Sequence, residues 1–190
     1  MSLRLRIGAA ALLLVALLVG LVVRETAARA AGREVRLPME AVDPRELLTG
    51  HYIDLQLTQA IPPGQPCPPG TEAVRNDPGW IALSPSPTGD RVSGFAATRP
   101  AAARLGQVTV RGRLFCYVGA SDSPGRLTLD IGVRRFHADQ RQAEAFDKAL
   151  AERRRGEPPT AFAIVSVGAD GTPRLKGVII AGQRADLTWH

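Results

Sequence analysis

Residues 161–181 read AFAIVSVGADGTPRLKGVIIA, and this stretch decides the type of fold. Its segments 161–167 and 174–181 are rich in apolar residues and are each of a length typical of a strand. The pair Asp170-Gly171 lies between them, and an Asp-Gly pair between two β-prone runs is a strong hairpin signal. We therefore predict that two antiparallel strands close the chain.

Six segments upstream also have the pattern of short strands. In 51–58 the apolar residues Ile53, Leu55 and Leu57 alternate with more polar ones, the period of two expected of a half-buried strand. Turn-forming stretches such as SDSPG at 121–125 separate the segments. The predicted strands are 34–39, 51–58, 80–83, 90–97, 107–118 and 126–136.

One late segment has helical character instead. Asp139 followed by Gln142 is typical of a helix N-terminus, and Gly156 and Pro158 end the pattern. Between them an apolar stripe recurs at helical spacing, formed by Ala143, Phe146, Ala149 and Leu150. We predict one amphipathic helix there.

Composition agrees with a folded, turn-rich chain. Apolar residues make up 45% of the 190 residues and charged residues 22%, which excludes wholesale disorder. The 19 glycines and 15 prolines favour short strands and turns over a helical bundle.

Residues 7–23 read IGAAALLLVALLVGLVV and contain no charge, whereas Arg4, Arg6 and Arg24 flank them. As a helix this run is about 25 Å long, just enough to cross the hydrocarbon core. A buried core helix is disfavoured because the run has no polar face. We predict an uncleaved membrane anchor; the alternative is a signal peptide, since 28–30 (ARA) has the small-x-small pattern of a cleavage site.

The fold class that follows is α+β, mainly antiparallel β, with about eight short strands and one late amphipathic helix after an N-terminal transmembrane helix. A short tail stays in the cytoplasm and a long domain is translocated whatever its modest charge, so we expect a single-pass inner-membrane protein with a periplasmic domain. The predicted parts are a cytoplasmic tail (1–6), an anchor (7–23), a linker (24–33), a β-rich domain (34–184) and a C-terminal tail (185–190).

The net charge of +6 does not indicate a nucleic-acid partner. Three arginines that flank the apolar run account for half of it, so the rest of the chain is only weakly basic. Two cysteines and three scattered histidines do not suggest a metal site, and no phosphate-binding glycine loop or dinucleotide motif occurs. We expect no cofactor, no metal and no nucleic-acid partner.

The two cysteines, Cys67 and Cys116, both lie beyond the anchor, where a disulfide can persist. Joined, they would close a loop of about 50 residues, for which chain entropy predicts roughly 4 kcal/mol of stabilisation. Two free buried thiols remain the alternative, because sequence does not reveal connectivity.

Residues 42–57 read VDPRELLTGHYIDLQL and hold the candidate binding residues. Asp43 and Pro44 start a turn, and Gly50 allows a tight entry into the next strand. The motif has a purely structural interpretation, in which it shapes this turn and strand. In the functional interpretation, the outward row of the strand forms a docking surface. The residues concerned are Asp43, Arg45, Gly50, Tyr52, Asp54, Leu55 and Gln56.

This stretch resembles the signature of the GDYXXLXY family, in which Val-Asp-Pro-Arg-x-Leu-Leu leads into Gly-Asp-Tyr-x-x-Leu-x-Tyr. Gly50, Tyr52 and Leu55 match, whereas His51 replaces the aspartate and Leu57 the final tyrosine. The similarity extends over most of residues 5–184. It implies a bacterial membrane-anchored protein of unassigned biochemical role, often encoded near polytopic membrane proteins.

Two functions follow as hypotheses. We favour a binding module, without catalytic residues, for a membrane or envelope partner such as a polytopic membrane protein; any small-molecule ligand is unknown. The alternative is an extracytoplasmic serine hydrolase, because the anchored β-rich arrangement is also similar to signal peptidases, which need a serine within about 3 Å of a lysine base. Its candidate residues are Ser84, Ser86 and Ser93 with Lys148 or Lys176, or a Ser-His centre with His51 or His137.

Overall fold

The computed structural model describes residues 3–42, 52–71, 77–119, 122–137 and 161–187. These residues form a mostly antiparallel sheet preceded by one long apolar helix, which confirms the predicted fold class. The elements are α1 (Leu3–Ala31), β1 (Arg33–Val42), β2 (Tyr52–Ile61), β3 (Gly79–Ser84), β4 (Arg91–Ala96), α2 (Arg99–Ala102), β5 (Val108–Tyr117), β6 (Gly125–Asp130), β7 (Arg135–His137), β8 (Ala161–Val167), β9 (Pro173–Ile180) and β10 (Gln183–Asp186).

The described residues contain one short helix that was not predicted, and the predicted late helix is not among them. The late amphipathic helix at 139–156 lies outside the described residues. The structure has a short helix, α2, that the sequence did not suggest; it is a single turn after Thr98 with Pro100 in its first turn. Proline favours the first turn of a helix because its missing N–H would have no partner there.

The strands follow the order β10-β9-β8-β1-β2-β6-β5-β3-β4, and β7 pairs with the beginning of β2. Every pairing is antiparallel, and the predicted closing hairpin is confirmed as β8 and β9. Gly171 in its connection has φ of +80°, and a Cβ there would collide with the Trp80 ring. Only glycine fits this turn, for both conformational and steric reasons.

The predicted strand 126–136 is two strands. β6 ends at Asp130, whose carboxylate accepts a hydrogen bond from Gly132 N, and Gly132 has φ of +76°. After this turn β7 returns to the sheet beside the first residues of β2, while β6 pairs with the later residues of β2. The break arises because a left-handed glycine cannot continue a strand.

A tenth strand also lies beyond the prediction. β10 pairs with β9 across a turn in which Ala181 and Gly182 both have positive φ. Because β10 ends at Asp186, the sheet extends past residue 184, where the β-rich domain was predicted to end.

The core lies inside the curve of the sheet. Asp90, before β4, closes this curve: its backbone N donates to Arg36 O at 2.7 Å, and its carboxylate accepts from Arg36 N at 2.8 Å. The buried Gln59 side chain donates to Asp90 O and accepts from Val92 N. The largest fully buried side chains are Phe136, Leu37, Met39, Leu57, Ile81, Leu83, Leu114, Leu127, Ile164, Ile180, Val35 and Val110.

Residues 24–33, predicted as a linker, belong to α1 and β1 apart from Gly32. α1 continues to Ala31, and β1 begins at Arg33 and pairs at once with β8. Residues Arg4–Ala31 form a helix long and apolar enough to cross a membrane, as an anchor or as a signal sequence. The helix thus passes into the sheet through the single residue Gly32.

Candidate functional site

The structure describes the second half of the signature stretch. Asp43, Arg45 and Gly50 lie outside the described residues, and of Tyr52 and Asp54 only the strand position is described, opposite His137 and Arg135. The side chain of Leu55 is buried and that of Gln56 is exposed, so the two face opposite sides of β2. The proposed outward row remains a prediction.

Cys67 and Cys116 are joined in a disulfide, with their Cα atoms 6.2 Å apart. The bond links the proline-rich segment after β2 to β5. The same segment also pairs with the outer edge of β4, where Phe95 N donates to Pro69 O at 2.9 Å. An edge strand covered in this way is protected from pairing with other chains.

The hydrolase candidates are not brought together in the described part of the chain. Lys176 Nζ donates to Glu34 Oε2 at 2.9 Å, and Ser86 Oγ lies 3.4 Å from Thr88 Oγ1. Ser93 Oγ is buried with no hydrogen-bond partner. Lys148 and His51 lie outside the described residues. No described serine is hydrogen-bonded to a lysine or histidine side chain.

The described residues also hold no group of three or more His, Cys, Asp or Glu side chains suited to a metal ion.

A cleft of about 690 Å³ opens where three parts of the chain meet. They are the last turns of α1, the β6–β7 connection and the first residues of β9. Four of its nine lining residues are arginines and one is an acid. The lining residues of this arginine cleft are Glu25, Arg29, Gly132, Val133, Arg134, Arg135, Pro173, Arg174 and Leu175.

An ion pair connects two walls of the arginine cleft. Arg174 Nε donates to Glu25 Oε1 at 2.8 Å, which joins β9 to α1. The Arg174 side chain is only 17% exposed, and that of Glu25 is 50% exposed. The ion pair and the low exposure of the side chain restrict the orientation of Arg174, which is one of the residues that line the cleft.

The third wall of the cleft, the β6–β7 connection, is held by a weaker ion pair. Arg134 Nη2 lies 3.0 Å from Asp130 Oδ2, but the Arg134 side chain is 72% exposed. Ion pairs this exposed contribute little free energy and exchange partners readily. Arg134 therefore has freedom to turn towards the cleft.

A second charged cluster ties β1, β9 and β10 together near the helix junction. Glu34 accepts hydrogen bonds from Lys176 and Arg184, and Arg184 also bonds Asp186 at 3.0 Å. The hydrogen bond from Lys176, with those from Arg184, holds the pKa of Glu34 below its ordinary value. The same contacts raise the pKa of Arg184, first through Glu34 and then through Asp186.

Sequence reasoning did not find the arginine cleft. Arg29 was assigned to a linker and Arg174 to the closing strand, while Arg134 and Arg135 fell within one predicted strand. The only local signal was the cluster of charge that follows the apolar run. Nothing in the linear order brings residues 25, 134 and 174 together.

A family model described as GDYXXLXY protein matches residues 14–178, well over half of the chain. No curated protein and no solved structure matches the chain.

Proposed function

The chain belongs to the GDYXXLXY family, and we propose that it is a membrane-anchored module whose β-rich domain binds a partner in the membrane or envelope. In this proposal α1 stays in the inner membrane of a bacterium as a single-pass anchor. The N-terminus is cytoplasmic and the domain is periplasmic.

The observation that carries the proposal is the direct junction between helix and sheet. A flexible linker lets a domain search a wide volume, whereas this domain is connected by Gly32 alone. The Glu25–Arg174 ion pair adds a second attachment between α1 and β9. An anchored domain of this kind presents one surface at a fixed height above the bilayer, which suits it to a partner that is itself in the membrane.

The disulfide supports the proposed periplasmic location of the domain. Disulfides persist in oxidising compartments such as the periplasm and are rare in the cytosol. The Cys67–Cys116 bond joins two parts of the domain rather than the helix, so the whole domain would share that compartment.

The compartment is tested by fractionation together with the intact mass. We expect the full chain in the membrane fraction, released only by detergent, with the domain digested by protease added to spheroplasts and protected in intact cells. A mature chain that begins after Ala30 and is recovered without detergent would contradict the anchor.

The partner is tested by crosslinking in membranes. We expect an integral membrane or envelope protein to be captured by the wild-type chain. A ~10-residue Gly/Ser insertion after Gly32 should weaken this capture, because it frees the height and orientation of the domain. The same insertion at the exposed Ala181–Gly182 turn is the matched control. Equal capture by both insertion variants would contradict the role given to the rigid junction.

A further inference from the structure

We propose that the arginine cleft binds the phosphate group of an anionic phospholipid in the leaflet that faces the domain. This inference rests on the proposed function, since it requires α1 to remain in the bilayer. It adds to that function a lipid ligand and the residues that bind it.

The position of the cleft along the helix is the first argument. The apolar run ends at Val23, and Glu25 follows two residues later. At 1.5 Å per residue, Glu25 is about 3 Å and Arg29 about 9 Å beyond the end of the run. The polar headgroup layer extends roughly 5–7 Å beyond the hydrocarbon core. With the apolar run in the hydrocarbon core, the guanidinium of Arg174, which is bonded to Glu25, would lie within the headgroup layer.

The chemistry of the lining is the second argument. Four arginines and one acid, Glu25, line the cleft, and Arg134 is also paired with Asp130 just outside it. Arg29 and Arg135 have further interactions within the protein. Guanidinium groups bind phosphate oxygens in a bidentate manner and stay charged at every physiological pH. An arginine near the membrane surface favours anionic over zwitterionic lipid by about 1 kcal/mol.

Size and polarity agree with a lipid headgroup. The volume of about 690 Å³ lies within the range of small-molecule sites. Val133, Pro173 and Leu175 add apolar atoms to the lining, which suit the glycerol backbone next to the phosphate. The ligand therefore has both a charged and an apolar part, as a phospholipid does.

The two arginines with described ion pairs have different parts in this site. Arg174, held by Glu25 and mostly buried, presents a preorganised donor. Arg134 is exposed and, among the described residues, forms its ion pair within its own turn with Asp130, so it can exchange that carboxylate for a phosphate at little cost. Lipid binding would thus order the β6–β7 connection.

The test is native mass spectrometry of the detergent-solubilised full chain with an equimolar mixture of phosphatidylglycerol and phosphatidylcholine. We expect the wild type to retain phosphatidylglycerol in preference. The double variant R134A/R135A should lower that preference about thirtyfold, whereas R91A/R104A, which removes two exposed arginines outside the cleft, should keep it. Equal retention of both lipids, or an unchanged preference in R134A/R135A, would overturn the proposal.

Two further arms make the result specific. Excess glycerol 3-phosphate should leave the lipid bound; if it displaces the lipid, the ligand is a soluble phosphate and the lipid assignment is wrong. A chain with Val133→p-benzoylphenylalanine should form a photoadduct with phosphatidylglycerol in nanodiscs, and the absence of an adduct would count against this cleft.

The outcomes separate this proposal from the proposed function. Loss of residues 1–30 in the intact mass of the cellular protein contradicts the anchor. A full-length membrane protein without lipid preference contradicts only the lipid site. If R134A/R135A does not fold, the lipid preference of the wild type and the photoadduct at position 133 still test the lipid site.

Discussion

Arg174 Nε donates to Glu25 Oε1 at 2.8 Å although the two residues are 149 positions apart in the chain. The ion pair connects the last turns of the only long helix in the described residues to the first residues of β9. The ion pair therefore adds a contact between helix and sheet to the direct connection through Gly32.

E25Q should loosen the junction without unfolding the domain. A partly exposed ion pair of this type contributes on the order of 0.5–1 kcal/mol, because half of the Glu25 side chain is exposed to solvent, which screens the charge. We expect a small change in thermal stability but faster proteolysis between residues 25 and 33 in nanodiscs. D77N, which removes an exposed carboxylate just before β3 and away from the junction, is the control. Equal proteolysis of E25Q and wild type would show that Gly32 alone holds the orientation.

Replacement of both disulfide cysteines, C67A/C116A, should lower the free energy of unfolding by about 4 kcal/mol, because the bond closes a loop of 49 residues. Denaturant titrations with and without reductant measure the effect. Reductant should destabilise the wild type by a similar amount and leave the variant unchanged. A variant as stable as the oxidised wild type would contradict the role of the bond.

G171A should be much more costly than G182A. Both glycines have φ near +80°, but a Cβ at Gly171 meets the Trp80 ring and one at Gly182 meets nothing within 4 Å. We expect about 1 kcal/mol for G182A, from backbone strain alone, and about 3 kcal/mol or more for G171A. Denaturant titration measures both losses of stability. The near-ultraviolet circular dichroism of Trp80 should change only in G171A. If both substitutions lower the free energy of unfolding equally, the loss comes from the backbone conformation and not from a clash with Trp80.

Stability should fall in acid partly through Glu34. The hydrogen bond from Lys176 lowers the pKa of Glu34 in the folded protein from its ordinary value of 4.5. The stabilisation is therefore complete above pH 4.5 and is lost as the pH falls through the lower, folded pKa. We expect E34Q to be less stable than wild type above this window, by about 0.5–1 kcal/mol, and to converge with it below. Denaturant midpoints against pH provide the measurement, with D77N as a control; a constant difference at all pH values would contradict the assignment.

The strands could be predicted because their signals are local. The alternation around Leu55 and Leu57 and the Asp170-Gly171 turn each depend on a few neighbouring residues, and the structure places strands at both. The break at Gly132 was missed because apolar residues recur on both sides of it, at Leu129, Ile131 and Phe136. Whether a glycine in such a run takes a positive φ depends on where its neighbours pair, and β6 and β7 pair with different halves of β2.

By itself, the sequence determined that the chain starts with a membrane-length apolar helix and continues as a mainly antiparallel sheet, because apolar run length and two-residue alternation are properties of consecutive residues. Only the tertiary structure decided that the helix joins β1 without a linker and that Arg29, Arg134 and Arg174 line one cleft. Such arrangements depend on which strands pair and how the sheet curves, and contacts between residues more than a hundred positions apart leave no mark on local composition.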